Sequence, residues 1–173
     1  ALLERLPQLC DPAAPRFTTP AFRSGRRVHY DVVQYETLLD SANLDLRSWA
    51  RIAGDIGQRM DAYDGVVMVH GTDTMAYTAS ALALMLGALP KPVVLTGAQH
   101  PLSAVRTDAR SNLIDACSVA TLGVPEVVVA FAGRALRGVR STKRDAWALD
   151  AFDSPTCAPL VDLGLGTTIS PLV

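Results

Sequence analysis

Apolar residues recur along this chain in short uninterrupted runs separated by stretches of helical periodicity. The runs Val28 to Val33, Gly65 to Val69, Pro92 to Leu95 and Glu126 to Phe131 read as strands. Between them, Asp45 to Asp61, Thr74 to Leu86 and about Thr107 to Ala120 read as helices. Ala1 to Leu9 reads as a further short helix, and Arg16 to Arg27, rich in Pro, Thr, Gly and Arg, as a loop. Strands that alternate with helices imply βαβ units with right-handed crossovers. Strands apolar throughout, and not merely on alternate residues, imply helices on both faces of a parallel sheet. The predicted fold class is therefore α/β, a doubly wound parallel sheet. Beyond Gly138 the pattern gives way to charged, Pro-containing sequence, with a last short apolar stretch at Leu160 to Leu165.

The most informative segment is Val66-Val67-Met68-Val69-His70-Gly71-Thr72-Asp73-Thr74-Met75. An apolar strand stops at Gly71, three short polar side chains follow, and a helix begins. In a parallel sheet, ligands gather beyond the carboxyl ends of the strands, where helix starts present unpaired N–H groups. Gly71 removes a Cβ that would hold a ligand off the backbone, and Asp73 sets a negative charge beside those donors. A small ligand carrying both an ammonium and a carboxylate suits that pairing. Thr72, Asp73 and Thr74 are equally ordinary helix caps. Two further strand ends bear on the same mouth. Thr96-Gly97-Ala98-Gln99 again places small residues where the chain leaves the sheet, and Ser41, ahead of the first long helix, offers a hydroxyl to a carboxylate or is a plain loop serine.

Composition narrows the partners. The 173 residues fit one domain with a sizeable core. Sixteen basic residues against 17 acidic, a formal charge of −1, give no general attraction to nucleic acid or anionic membrane. No apolar stretch approaches the roughly 20 residues that span a bilayer, and the first residues lack a signal-peptide pattern. Cys10, Cys117 and Cys157 are odd in number and widely spaced, which points to reduced thiols in a cytoplasm. His29, His70 and His100 are scattered too, so no metal is expected. Arg134, Arg137, Arg140, Lys143 and Arg144 form a basic cluster suited to an anion or to a solvated face. No phosphate loop, G-x-S-x-G elbow or H-E-x-x-H motif is present.

The run Val69-His70-Gly71-Thr72-Asp73-Thr74-Met75-Ala76-Tyr77-Thr78-Ala79, followed by Pro92-Val93-Val94-Leu95-Thr96-Gly97-Ala98-Gln99, resembles the bacterial-type L-asparaginase family. Pro101-Leu102, Arg106, Asp108, Arg110, Asn112-Leu113, Ser141-Thr142-Lys143 and Asp150-Ala151-Phe152-Asp153-Ser154-Pro155 extend the likeness, closer to the cytoplasmic type I branch. The resemblance implies hydrolysis of L-asparagine to L-aspartate and ammonia without a metal or organic cofactor, with L-glutamine as a second candidate substrate. It implies a catalytic constellation of Thr72, Asp73 and Lys143. Asp73 would also hold the substrate ammonium, Ser41 its carboxylate, and the backbone of Gly71 and Ala98 would line the pocket. Ala42 falls where exported members carry a polar substrate contact, which its methyl group cannot supply. A threonine hydroxyl needs a neighbouring base or cation to become a nucleophile, the influence expected of Lys143. The resemblance further implies a homodimer or homotetramer.

The family's nucleophilic threonine lies in a T-G-G-T-I motif on its first strand, and no such motif occurs here. Gly164-Leu165-Gly166-Thr167-Thr168-Ile169 is an echo at the wrong end and is not read as the nucleophile. Residues 1–165 are accordingly expected to be part of an asparaginase-like N-terminal domain, 166–173 the start of a connection to a second domain, and the chain a piece of a longer enzyme. Two rival functions are the ammonia-supplying, glutamine-dependent component of a glutamyl-tRNA(Gln) amidotransferase and a non-catalytic amino-acid-binding domain.

Overall fold

The computed structural model describes residues 6–15, 17–22, 24–36 and 40–173. They fall into two compact units, Ala1–Leu38 and Leu39–Val173. In the first unit the expected strand at 28–33 does not form. A strand requires a ladder, and among the described residues a single antiparallel bridge joins Thr18 to His29, while Val32 and Val33 remain 45% and 61% exposed. Residues 1–5 of the expected first helix lie outside the described residues. The rest is one turn, in which the Leu9 and Cys10 amides both donate to the Leu6 carbonyl, and Pro7 and Pro12 bracket it.

The second unit holds the predicted alternation. Asp45 accepts from the Ser48 amide at 2.8 Å and starts helix α1, Leu46–Arg59. Strand β1, Val66–Val69, leads into helix α2, Met75–Leu86; strand β2, Val93–Thr96, into helix α3, Ala109–Val119; and strand β3, Val127–Phe131, follows. These three strands are parallel neighbours in that order. The chain then departs from the expected all-parallel sheet. Ala132 and Gly133, at φ 49° and 77°, make a two-residue turn into β4, Arg134–Arg137, antiparallel to β3. Thr142–Lys143 (β5) and Phe152–Asp153 (β6) pair apart from the main sheet, and Val161–Leu163 (β7) and Thr167–Ile169 (β8) complete it in the order β1-β2-β3-β4-β7-β8. The sequence beyond Gly138 is thus structured by short antiparallel pairs, which contain too few residues to show a period. The stretch 166–173 includes β8.

The crossovers also differ from expectation. Val94, Val128 and Ala130 share a fully buried cluster with Ala116 and Val119 of α3. Val93, Leu95, Val127 and Val129 alternate with them and are equally buried on the opposite face. There α2 lies, with Met75 Cε only 2.7 Å from where a Cβ of Gly97 would stand and Ala79 Cβ 3.3 Å from that position at Gly138. Three parallel strands laid side by side in sequence order keep their helices on one face if both connections are right-handed. With α2 and α3 on opposite faces, one of the two connections is left-handed, against the usual preference.

Candidate functional site

At the carboxyl end of β1 the backbone is held by close approach to its neighbours. The His70 amide donates to the Thr96 carbonyl at 2.8 Å, extending the β1–β2 pairing by one bond. Gly97 is required there, because a Cβ would come within 2.2 Å of the His70 carbonyl oxygen. Gly71 is required by Ser41: a Cβ would stand 2.6 Å from Ser41 Oγ. Ser41 is buried, and its carbonyl accepts from Thr74 Oγ1 at 2.7 Å.

None of the three polar residues acts as a simple side-chain cap. Thr74 occupies the N-cap position of α2 without a side-chain capping bond. Thr72 Oγ1 donates to Gln99 Oε1 at 3.1 Å, and Asp73 carries an ion pair. That pair comes from Lys143, whose Nζ donates to Asp73 Oδ1 at 2.7 Å and to Thr72 Oγ1 at 2.9 Å. Lys143 reaches the turn because β5 pairs it with Phe152, and the Phe152 ring packs on Phe131 at the end of β3 with centroids 4.9 Å apart. Arg134 braces the same hairpin through Asp150 and the Phe152 carbonyl. The Lys143 side chain is 15% exposed and that of Asp73 71%, so the lysine is tucked beneath a carboxylate that faces solvent.

The structure therefore brings Thr72, Asp73 and Lys143 into direct contact, and sets Ser41 against Gly71. Ala98 is half-buried on the turn after β2. Ala42 is exposed, its amide donating to Asp40 Oδ1 at 3.0 Å. A cavity of about 310 Å³ adjoins the ion pair, bounded by Asp73, Ala76, Tyr77, Ser80, Ser141, Thr142 and Lys143. His70 is buried behind the turn with Nδ1 2.6 Å from the Gly71 carbonyl, and burial lowers its pKa below 6.5.

Two residues quoted only as part of a motif, Asp108 and Asn112, turn out to shape the site. The buried Asp108 carboxylate accepts from the amides of Gln99 and His100, both at 2.9 Å, and from Asn112 Nδ2 at 3.0 Å. Asn112 Nδ2 also donates to the Gly97 carbonyl at 3.0 Å, and its Oδ1 accepts from the Ala132 amide at 3.1 Å. Asp108 and Asn112, four residues apart on one face of α3, thereby fix the turn that carries Ala98 and Gln99. Their helical spacing was the available signal.

Known proteins share this fold. The family model described as Asparaginase, N-terminal, matches residues 2–170. L-asparaginase 1 of Escherichia coli K12 is 44% identical over 147 residues, 84% of this chain and 44% of that protein. The crystal structure of L-asparaginase I from Vibrio cholerae superposes with a TM-score of 0.75 at 44% identity, covering 80% of this chain and 42% of that one. The D-type subunit of glutamyl-tRNA(Gln) amidotransferase from Pyrococcus abyssi is 39% identical over 131 residues, 71% of this chain and 30% of that protein. The chain thus spans less than half the length of these relatives.

Proposed function

We propose, from the premise that this chain belongs to the asparaginase family, that it carries part of the active site of an amidohydrolase converting L-asparagine and water to L-aspartate and ammonia. The observation that carries this reading is Lys143 Nζ bridging Thr72 Oγ1 and Asp73 Oδ1 across 70 residues of sequence. A cation beside a hydroxyl favours its deprotonated form, so Thr72, held by Lys143, can pass its own hydroxyl proton to the departing ammonia while taking up the one the nucleophile loses. Asp73, open to solvent, binds the substrate ammonium. Ser41 binds the substrate carboxylate, and the Gly71 and Ala98 backbone lines the pocket, with Ala42 contributing its backbone alone.

The nucleophile in this reading is a threonine of a T-G-G-T-I segment outside the 173 residues, placed beside β1. The G-L-G-T-T-I echo supports no such role, since it forms the β7–β8 hairpin at the sheet edge opposite β1. Residues 1–165 form part of the catalytic domain, a homo-oligomer completes the site, and the free thiols Cys10, Cys117 and Cys157 suit a cytoplasmic setting.

The test is ammonia release from L-asparagine by the complete polypeptide and by its Thr72→Ala variant, with thermal melting recorded for both. Turnover that falls by about a thousandfold or more in the variant at unchanged melting supports the reading. Asparagine binding without turnover in the complete protein replaces it with a non-catalytic binding domain. The similarity to the amidotransferase favours a second reading, glutamine-derived ammonia passed to a partner; partner-dependent turnover of glutamine alone would establish it.

A further inference from the structure

We propose that Gln99 is a positioning residue that sets the direction of the Thr72 hydroxyl and ties it to the 145–149 loop. The Gln99 amide has only one orientation compatible with its neighbours. Its nitrogen lies 2.9 Å from the Ala146 carbonyl and 3.1 Å from the Ala148 carbonyl. Both are acceptors only, so the NH₂ group must face them and Oε1 must face Thr72. An amide oxygen accepts and never donates, so the hydrogen of the Thr72 hydroxyl points at Gln99 Oε1, 3.1 Å away.

With its hydrogen committed there, Thr72 Oγ1 turns its lone pairs to Lys143, which donates to it at 2.9 Å. The chain of donors therefore runs one way from Lys143 through Thr72 to Gln99 Oε1, and the amide's other end is anchored on two backbone carbonyls of a surface loop. That loop is itself held by Asp145, whose Oδ1 accepts from the Trp147 and Ala148 amides at 2.7 and 3.1 Å. The backbone of Gln99 is anchored, its amide donating to the buried Asp108 carboxylate. A displacement of residues 146–148 thus passes through a single rigid amide to the hydroxyl hydrogen of Thr72. The Trp147 side chain, 95% exposed, sits on the part of the loop most open to outside influence.

Gln99 acts through Thr72 and takes up no proton itself in this scheme, which rests on the asparaginase reading for its catalytic consequence. The test is a double-mutant cycle on the complete protein, measuring kcat and KM for asparagine in Gln99→Leu, Thr72→Val and their combination. Gln99→Leu is expected to lower kcat about tenfold or more with KM changed less than twofold. In the Thr72→Val background the same change is expected to have no further effect on kcat, because no hydroxyl remains to orient. Equal losses in both backgrounds would overturn the proposal.

Hydrogen exchange across residues 145–149 supplies the arm that needs no turnover. Gln99→Leu is expected to accelerate exchange there, and Thr72→Val to do so by a smaller factor. Gln99→Glu keeps an acceptor for Thr72 but loses the donor to Ala146 and Ala148; it is expected to free the loop as fully as Gln99→Leu. If the loop responds in this way while asparagine is not hydrolysed, the function is wrong and the positioning role stands. If asparagine is hydrolysed while exchange in the loop is unchanged in all three variants, the positioning role is wrong.

Discussion

The carbonyl oxygen of His70 stands 2.2 Å from the point where a side chain on residue 97 would begin, so Gly97 and His70 hold the ends of β1 and β2 at a distance that no other residue permits. The obstructing atom is backbone, with no flexible side chain to give way. Gly97→Ala is expected to cost about 3 kcal/mol or more, beyond the ordinary range for overpacking, and to lower both the melting temperature and ligand binding. Unchanged melting would show that the strand ends can separate freely.

Gly71 faces a softer obstacle. Ser41 Oγ and Cβ would lie 2.6 and 2.8 Å from an added Cβ, and a side chain can move or be removed. Gly71→Ala is expected to destabilise by about 1 to 3 kcal/mol, and Ser41→Gly in the same chain to recover most of the loss. Melting curves of the single and double variants decide this. Asparagine affinity is expected to stay low in the double variant if Ser41 binds the substrate carboxylate.

The buried imidazole of His70 gives stability a pH dependence. Its folded-state pKa is lowered from 6.5 by desolvation, opposed by the Gly71 carbonyl, and its Nε2 has no hydrogen-bond partner among the described residues. The unfolded chain therefore binds the proton more readily. Stability is full above about pH 6.5 and falls as pH drops below it through the lowered folded value. Asp115 runs the other way at lower pH: burial raises its pKa above 3.8, so its penalty is relieved as pH falls through the raised value. Denaturant midpoints at about pH 7.5 and 5.5, either side of the ordinary histidine value, are expected to differ less in His70→Gln than in the unaltered protein.

Ala132 holds φ 49°, a left-handed conformation that costs an L residue with a Cβ roughly 1 kcal/mol or more. The position is exposed, and its amide bond to Asn112 survives any side chain. Ala132→Asn and Ala132→Gly are therefore expected to raise the melting temperature with no effect on substrate turnover.

Asp73 separates binding from folding. Its side chain is 71% exposed, so its ion pair with Lys143 contributes at most about 1 kcal/mol to stability. Asp73→Asn is expected to leave melting nearly unchanged and to raise KM for asparagine strongly, as loss of the ammonium partner requires. An equal KM would remove Asp73 from the substrate site.

The legible part of the fold is the part with enough residues to display a period. The helices that became α1, α2 and α3 and the strands β1 to β3 lie within a few residues of their expected bounds, because each, apart from the half-buried edge strand β1, buries an apolar face. Val28 to Val33, interrupted by His29 and Asp31, forms no strand, since a pattern reports what a segment could bury and not whether a partner backbone lies beside it. The hairpin after Phe131 was hidden by an Ala-Gly turn in place of the stronger Asn-Gly signal. Thr72 and Asp73 were marked by their place at a strand end. Lys143 stood out only through family resemblance, for a two-residue strand leaves no local trace, and the Gln99 amide became meaningful only when Ala146 and Ala148 were seen around it.

The span between Thr72 and Lys143, 71 residues, also orders events during folding. Contacts distant in sequence carry a larger loop-closure cost and tend to form after local ones. The units from β1 through β3 close over shorter separations, so the Thr72–Asp73 turn is expected to form before its counter-charge reaches it. Its counter-charge arrives only when the segment from Thr142 to Asp153 docks through Phe152. Competence at this site is thus a late property of the chain, and a ligand that needs Lys143 in place recognises the finished fold and none of its precursors.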